Sequence, residues 1–381
     1  MKIVLIFLLL MLSGCRADEA VYFEKATETN SSNYEVYIEN KNISDIFDNV
    51  KTGSEIYNST KFPDISEFEE YMGVSQDIYS MSLTLGEKVP LSFLMDTYIN
   101  GKMPIIRIFP PKDTNMYSLG SLILLAKDLG SIDIPIILDF YPVYSELYDI
   151  NEYKRYYKTA YETFKTYAPN VSLIWSIDAG MAGESFIYYP GDEFVSAVGA
   201  DVTVSSRDIE KPLDTLFGDL SFLNYSFQGT KPLIISSLKV SHYSAESLSY
   251  TTTEAGKIIS EVYSFVKEYP AFKAVIYSDA DYTKNVFKTG ENFSVSDTIE
   301  IRKAYRKIVS DFSKNKENIR GCMRSWYFAK KENGEFYIPA YMAVYELGMS
   351  FNWEESIPLS QLSLKYTVDE KNKRLYIVAG I

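Results

Sequence analysis

The chain has 381 residues, with 38 Lys and Arg against 51 Asp and Glu, for a formal net charge of −13. This acidic balance argues against a nucleic-acid partner, because the phosphate backbone is bound by basic surfaces. One His and two Cys argue against zinc fingers, iron–sulfur clusters and disulfide-rich scaffolds, and we expect no cofactor. With 46% hydrophobic residues, the composition is that of a folded protein, long enough for one large and one small domain or for two domains of medium size.

The first residues predict an export signal with a site for lipid attachment. Lys2 precedes an apolar run from Ile3 to Leu12, which is too short to span a hydrocarbon core of about 30 Å. The run leads into Leu12-Ser13-Gly14-Cys15, which resembles the bacterial lipobox and implies a diacylglycerol on Cys15. We therefore expect a signal peptide over residues 1–14 and a lipid anchor on the outer face of the bacterial cytoplasmic membrane. An ordinary signal with an incidental cysteine is the alternative.

The segment that follows the signal is polar. Residues 15–60 are rich in Glu, Asn, Ser and Thr, as in the stretch from Ala26 to Asn42. Such a composition buries little apolar surface and is typical of a linker. We predict a tether that lifts the folded part away from the membrane.

Between residues 61 and 315, apolar runs alternate with amphipathic stretches. After Asp149, residues that suit a core recur every three or four positions up to Tyr167, which predicts a helix that Pro169 ends. A βα alternation of about 250 residues predicts a parallel sheet and favours a closed (β/α)₈ TIM barrel over an open doubly wound sheet. No Gly-rich phosphate loop follows a predicted strand. The strands are predicted at residues 71–75, 103–109, 134–141, 171–177, 201–204, 231–236 and 272–277.

After residue 315 the alternation stops and shorter strand-like runs follow. Glu332-Asn333-Gly334 is a hairpin turn signal, and Tyr341 to Leu347 followed by Gly348 predicts a short helix. We predict a small α+β module over residues 316–381, which follows the α/β barrel of residues 61–315.

A motif between residues 170 and 201 is the most specific signal in the chain. Asn170–Asp178 reads NVSLIWSID, Tyr188–Val195 reads YYPGDEFV, and Val198–Asp201 reads VGAD. In order and spacing this motif resembles glycoside hydrolase family 26. The resemblance implies a (β/α)₈ barrel and a polysaccharide partner. It also implies hydrolysis of β-mannans or β-glucans with retention, by two glutamates at the ends of the fourth and seventh strands.

Both glutamates that this resemblance implies are replaced. When the apolar fourth strand is aligned, Asp139 stands where Arg is expected, Pro142 where His is expected, and Val143 where the acid/base Glu is expected. On the seventh strand Ser237 takes the place of the nucleophile. Neither Val nor Ser protonates a leaving oxygen or stabilises an oxocarbenium-like charge. The sequence therefore predicts a barrel that has lost hydrolysis.

Relocated carboxylates are the alternative. Barrels place their active sites at the C-terminal ends of the strands, and Asp139, Glu146, Asp178 and Asp279 lie at or just past such ends. Helix caps and solvated loop charges are the other interpretation of these four residues. His242 follows the seventh strand without a recognisable nucleophile motif, so we predict a loop residue there.

Aromatic residues near the strand ends are candidates for binding a sugar, because their rings stack on pyranose faces. Packing at the rim of the barrel is the alternative for these rings. The candidate substrate-binding residues are Tyr141, Tyr144, Trp175, Asp178, Tyr188 and Tyr277.

The C-terminal module has a resemblance of its own. Phe336–Pro339, Val344–Gly348, Phe351–Trp353 and Arg374–Ile377 resemble the N-terminal-like domain of copper amine oxidases. That resemblance implies envelope attachment or spacing in a Gram-positive bacterium, and it implies no copper site.

Three functions follow from these patterns. The first is a surface lipoprotein whose barrel binds a glycan or another envelope component without hydrolysing it. The second is an active retaining glycosidase of the endo-β-mannanase or β-glucanase type, with relocated carboxylates. The third is a structural spacer that binds no ligand.

The lipobox generates the first testable prediction. Labelled palmitate should enter the wild-type protein, and Cys15→Ala should release the protein from the membrane fraction, because the acylated thiol is lost. A wild-type protein that is membrane-bound without the label would contradict the prediction.

Overall fold

The computed structural model describes residues 33–39, 50–56, 62, 64–112, 116–132, 134–143, 149–209, 213–244, 247–283, 290–312, 323–345, 356–362 and 364–378. The predicted signal peptide, Cys15, Tyr144 and Glu146 lie outside these residues. Within them, no helix is both long and apolar enough to cross a membrane.

The strands and helices alternate through most of the chain, as the sequence predicts. In chain order the strands are β1 (Asn33–Glu39), β2 (Lys51–Glu55), β3 (Ile78–Thr84), β4 (Met103–Phe109), β5 (Ile136–Phe140), β6 (Val171–Asp178), β7 (Ala197–Val204), β8 (Leu233–Val240), β9 (Tyr243–Ser244), β10 (Ser249–Tyr250), β11 (Phe272–Ser278), β12 (Glu291–Asn292), β13 (Met323–Glu332), β14 (Glu335–Pro339), β15 (Ser356–Pro358), β16 (Lys365–Asp369) and β17 (Arg374–Val378). The helices are α1 (Ile65–Met72), α2 (Leu91–Ile99), α3 (Leu119–Gly130), α4 (Ile150–Tyr167), α5 (Ala182–Ser185), α6 (Asp214–Phe227), α7 (Thr252–Glu268), α8 (Ile299–Ser310) and α9 (Ala340–Tyr345).

Eight parallel strands close into a barrel, in the order β2 to β8 and then β11, which pairs with β2. The predicted (β/α)₈ fold is confirmed, and the open sheet is excluded. The fourth and seventh barrel strands are β5 and β8, as the sequence alignment assumes.

Two predicted local elements have different outcomes. The helix after Asp149 is confirmed, because the Asp149 carboxylate accepts the backbone N–H groups of Asn151 and Glu152 at the start of α4. The strand predicted at residues 71–75 is wrong. Tyr71 lies in α1, and Gly73 ends that helix with a φ of 66°, in the left-handed region that glycine adopts without strain.

The lower half of the barrel, where the strands begin, is filled by apolar side chains. They form one buried cluster of their own, separate from the larger cluster between strands and helices. Its members are Ile78, Met103, Ile105, Ile137, Ile174, Ala197, Ile234, Ala274 and Ile276. Such a filled interior is a packed core, not a pore.

The small module contains a strand from the N-terminal part of the chain. Its described sheet has the order β15-β14-β13-β1-β17-β16, with β1 antiparallel to β13 and parallel to β17. The alternation of buried Tyr34 and Val36 with half-buried Glu35 gives β1 one face toward the module core. The barrel is therefore inserted into the module between β1 and β13.

This arrangement corrects the predicted tether over residues 15–60. Residues 33–39 form β1 of the module, and residues 51–55 form the first barrel strand, so the barrel begins at Lys51 rather than at residue 61. The polar sequence misleads because β1 needs only one apolar face, and because β2 contributes Gly53 and Ser54 to a crowded barrel wall. A Cβ on Gly53 would lie 2.8 Å from the Cβ of Ile78.

Arg374 in β17 joins the module to the barrel. Its guanidinium donates to the carbonyl oxygens of Lys165 and Thr166 at the end of α4, at 3.0 and 2.7 Å. Unpaired carbonyls at a helix C-terminus favour such a cation. Because α4 runs antiparallel to the barrel strands, this contact lies at the end of the barrel where the strands begin.

The position of β1 generates the second prediction. Val36→Asp places a carboxylate in the module core and should lower its free energy of unfolding by about 3 kcal/mol or more. Hydrogen exchange should accelerate in β13 and β17, while the barrel strands keep their protection. The control Lys365→Asp, on exposed β16, should leave both the free energy of unfolding and the hydrogen exchange of the module unchanged. Unaltered exchange in β13 of the Val36→Asp variant would contradict the assignment of β1.

Candidate functional site

The upper half of the barrel, toward the C-terminal ends of the strands, is polar. On a strand the residue two positions beyond a member of the apolar cluster faces the same way, and on most of the barrel strands the inward side chains become polar at these positions. They include Arg107, Asp139, Ser176, Ser236 and Ser278. We call this polar upper half the mouth of the barrel.

An ion-paired triad lies at the centre of the mouth. Arg107 Nε lies 2.8 Å from Asp139 Oδ2, and a terminal nitrogen of the same guanidinium lies 2.5 Å from Asp201 Oδ2. The hydroxyl of Ser236 donates to the other oxygen of Asp201 at 2.7 Å. All of these side chains are buried. The pairing of one cation with two carboxylates reduces the cost of keeping charge away from water.

Burial governs the titration of the triad. Removal from water raises the pKa of Asp139 to about 6, and the adjacent Arg107 charge opposes this shift. The predicted role of Asp139 as a relocated catalytic carboxylate does not suit this geometry, because an ion-paired carboxylate with no exposed surface cannot approach a substrate.

The glycine of the VGAD motif has a steric cause in this chain. A Cβ at Gly199 would lie 1.9 Å from Ser176 Oγ and 2.8 Å from Ser236 Oγ. Only glycine lets β6 and β8 place both hydroxyls across β7. Two residues later, Asp201 points into the triad, so the motif positions the polar centre of the barrel.

The two positions at which the family resemblance implies glutamates, Val143 and Ser237, are buried. Val143 donates its N–H to the carbonyl of Ser176 at 2.8 Å, which extends β5 beside β6. Ser237 Oγ lies 2.9 Å from Ser278 Oγ. Neither side chain ionises in the accessible pH range.

Glu55 is the mouth carboxylate that the sequence analysis missed. It ends β2 and is half-buried, and Ser278 donates to its Oε2 at 2.5 Å while Ser82 donates to its Oε1. Through Ser278, Glu55 lies two hydrogen bonds from Ser237. A carboxylate at the end of a short strand is the sequence feature that could have identified Glu55. The prediction of a tether over residues 15–60 excluded this strand from the barrel.

The other predicted carboxylates that the structure describes act as local caps. Asp178 accepts the N–H of Gly180 at 2.9 Å. Burial raises the pKa of Asp178, and the bond from Gly180 opposes the shift. Asp279 accepts the N–H and the hydroxyl of Ser296 at 3.0 and 2.8 Å. These contacts agree with the helix-cap and loop interpretation, and Glu146 lies outside the described residues.

The predicted stacking aromatics are buried, so that prediction is wrong for those the structure describes. Tyr141, with a φ of 52°, stacks on Phe140 at 4.4 Å and donates its hydroxyl to the carbonyl of Met116. The hydroxyl of Tyr277 donates to the carbonyl of Phe293 at 2.9 Å. Trp175 and Tyr188 are buried as well. Each ring packs inside the protein, as the rim-packing alternative predicts, and Tyr144 lies outside the described residues.

Loops beyond β7, β8 and β11 meet around Glu291. This carboxylate accepts the N–H and hydroxyl of Ser206 at 3.2 and 2.7 Å, and also the hydroxyl of Ser241. His242, fully buried, lies with its Nε2 2.9 Å from the carbonyl of Ser294. The single His is thus a structural loop residue. Among the described side chains, no group of His, Cys, Asp and Glu is arranged to hold a metal ion.

The triad generates the third prediction. Arg107→Met leaves two buried carboxylates without their cation and should lower the free energy of unfolding by about 3–5 kcal/mol. The control Arg155→Met removes an exposed partner of Glu152 on α4 and should change it by less than about 1 kcal/mol. Denaturant unfolding measures both, and equal losses would contradict the role of the triad.

A family model covers part of the barrel. Residues 143–231 match the model of glycosyl hydrolase family 26. The match begins at the position of the expected acid/base and ends before Ser237. The chain has no significant match among curated protein sequences.

Solved structures share the fold. A modular endo-β-1,4-mannanase from Cellulomonas fimi is 15% identical, with a TM-score of 0.54 over 69% of this chain and 71% of that one. The GH26 β-mannanase BoMan26A from Bacteroides ovatus is 14% identical, with a TM-score of 0.53 over 71% of this chain and 92% of that one. At these identities the likeness establishes the fold alone. The chain is thus a (β/α)₈ barrel with the fold of these mannanases, and its residues 143–231 carry the sequence pattern of glycosyl hydrolase family 26.

Proposed function

We propose that this chain is an exported, lipid-anchored protein whose barrel binds a glycan of the bacterial envelope or its surroundings without hydrolysing it. The observation that carries the proposal is the chemistry of the two catalytic positions. Val143 and Ser237 occupy them, and both are buried and unable to ionise.

Retaining hydrolysis needs two carboxylates about 5–5.5 Å apart, one as acid/base and one as nucleophile. The two fully buried carboxylates of the mouth, Asp139 and Asp201, are both paired with Arg107. A carboxylate that neutralises a buried cation has a structural role, because removal of the carboxylate leaves the cation unpaired. The loss of both catalytic glutamates is expected to lower turnover by several orders of magnitude.

The polar mouth supports ligand binding over a purely structural spacer. The lower half of the same barrel is filled by apolar side chains, so the fold does not require hydroxyls and carboxylates inside. Buried polar groups cost free energy unless they are well paired. Half-exposed Glu55 and Ser82 at the strand ends are donors and acceptors of the kind that hold sugar hydroxyls.

A glycosidase with relocated carboxylates is the second candidate, and Glu55 favours it. This carboxylate lies two hydrogen bonds from Ser237, the nucleophile position. Asp178, whose pKa burial raises, would be the corresponding general acid, since a raised pKa keeps a carboxyl protonated for proton donation.

The fourth prediction separates these two functions. The purified protein should release no reducing sugar from β-mannan, mixed-linkage β-glucan or aryl glycosides above a protein-free blank. Because no catalysis is expected, Glu55→Gln, Asp178→Asn and the distant control Glu332→Gln should be indistinguishable from wild type. The opposite result would be hydrolysis by the wild-type protein that is lost in Glu55→Gln or Asp178→Asn and kept in Glu332→Gln. That result would contradict the proposed binding function and support the glycosidase.

A further inference from the structure

A small hairpin stands on the rim of the mouth, directly after the seventh barrel strand. Its strands β9 and β10 pair antiparallel, with Tyr243 opposite Tyr250 and Ser244 opposite Ser249. Residues that face each other across such a pair point to the same side. The rings of Tyr243 and Tyr250 accordingly lie 4.6 Å apart, inclined by 40°.

The base of this hairpin is fixed. The N–H of His242 donates to the carbonyl of Asn292 and the N–H of Thr251 donates to the carbonyl of His242, both at 2.9 Å. β9 also pairs with β12 on its other side, and Ser241 is bonded to Glu291. A ring pair on such a base is held in place before any ligand arrives, which reduces the ordering cost of binding.

The two rings reach solvent, Tyr250 more than Tyr243, whereas the other described candidate aromatics are buried. Tyr250 is 63% exposed and the neighbouring Leu248 is 76% exposed, while Tyr243 is half-buried. Single exposed apolar residues are ordinary, but a contiguous exposed apolar patch at a rim marks an interaction surface. The hydroxyls of Ser247 and Ser249, 2.6 Å apart, add neutral hydrogen-bonding groups beside it.

We propose that Tyr243 and Tyr250 form a stacking platform for a sugar ring of a neutral glycan chain that also occupies the mouth. This proposal rests on the proposed glycan-binding function. It adds which residues contact the glycan and that the glycan is uncharged. Tyr and Ser offer flat faces and hydroxyls without charge, which suits a pyranose. The net charge of −13 disfavours polyanionic envelope polymers.

The spacing along the chain limits the distance between the mouth and the platform. Ser237 and Tyr243 are six residues apart, which is at most about 20 Å of extended chain. A glycan of several sugars can therefore contact both regions. An oligosaccharide so short that it contacts only one of them should bind more weakly than one that contacts both.

The experiment measures binding of the full chain to soluble galactomannan and mixed-linkage β-glucan, by affinity electrophoresis and by calorimetry with their hexasaccharides and disaccharides. The Tyr243→Ala, Tyr250→Ala double variant should bind the hexasaccharides about five- to a hundred-fold more weakly. Tyr250→Phe should retain wild-type affinity, because the ring remains. Tyr225→Ala, at a residue of α6 that is 78% exposed, is the matched control and should bind as wild type.

The outcomes are distinct. If wild type binds and the double variant, with an unchanged thermal midpoint, binds equally well, the platform is wrong and glycan binding stands. If Tyr250→Phe loses as much affinity as the double variant, the hydroxyl and not stacking makes the contact, and the platform is again wrong. If the wild-type protein binds neither polysaccharide, the proposed function and the platform are both wrong, and the result supports a structural spacer.

Discussion

One buried guanidinium organises the interior of this barrel. Arg107 extends from β4 to carboxylates on β5 and β7, and its charge is what allows two acidic side chains to remain inside. A cation shared between strands on different sides of the barrel fixes their relative positions more strictly than apolar packing does, because hydrogen-bond geometry is directional. The serine hydroxyls around the triad and the orientation of the family-like motif agree with this pairing.

The triad also gives the shared sequence motif a structural role. Gly199 is required because Ser176 and Ser236 leave no space for a Cβ, and Asp201 is required because Arg107 needs a second carboxylate. Both residues belong to the pattern that the chain shares with glycosyl hydrolase family 26. In this protein they contribute to packing and electrostatics.

The sequence predicts the barrel well and the site poorly, for physical reasons. Long apolar strands such as β4 and β5 are recognisable because both of their faces are buried. By contrast, the sequence does not reveal β1, because its partner strands lie between 285 and 339 residues further along the chain. It does not reveal β2, because the inner face of that strand carries a glycine and a carboxylate.

Side-chain orientation is the second limit on prediction. The sequence does not distinguish a tyrosine whose hydroxyl donates to a buried carbonyl, as in Tyr277, from one whose ring faces solvent, as in Tyr250. The ion pair between Arg107 and Asp139 depends on the register of neighbouring strands, which periodicity alone does not give.

The insertion of the barrel between β1 and the rest of the module has a mechanical consequence. If the lipid proposed at Cys15 holds the protein, tension enters the fold along β1, which is bonded on both sides, to β13 and to β17. Pulling along a central strand loads both ladders of hydrogen bonds in shear, all at once, whereas an edge strand would peel away one bond at a time. Arg374 then transmits the load to the base of α4, at the end of the barrel opposite the mouth. The open face of the barrel would thus be directed away from the anchored end and relieved of strain.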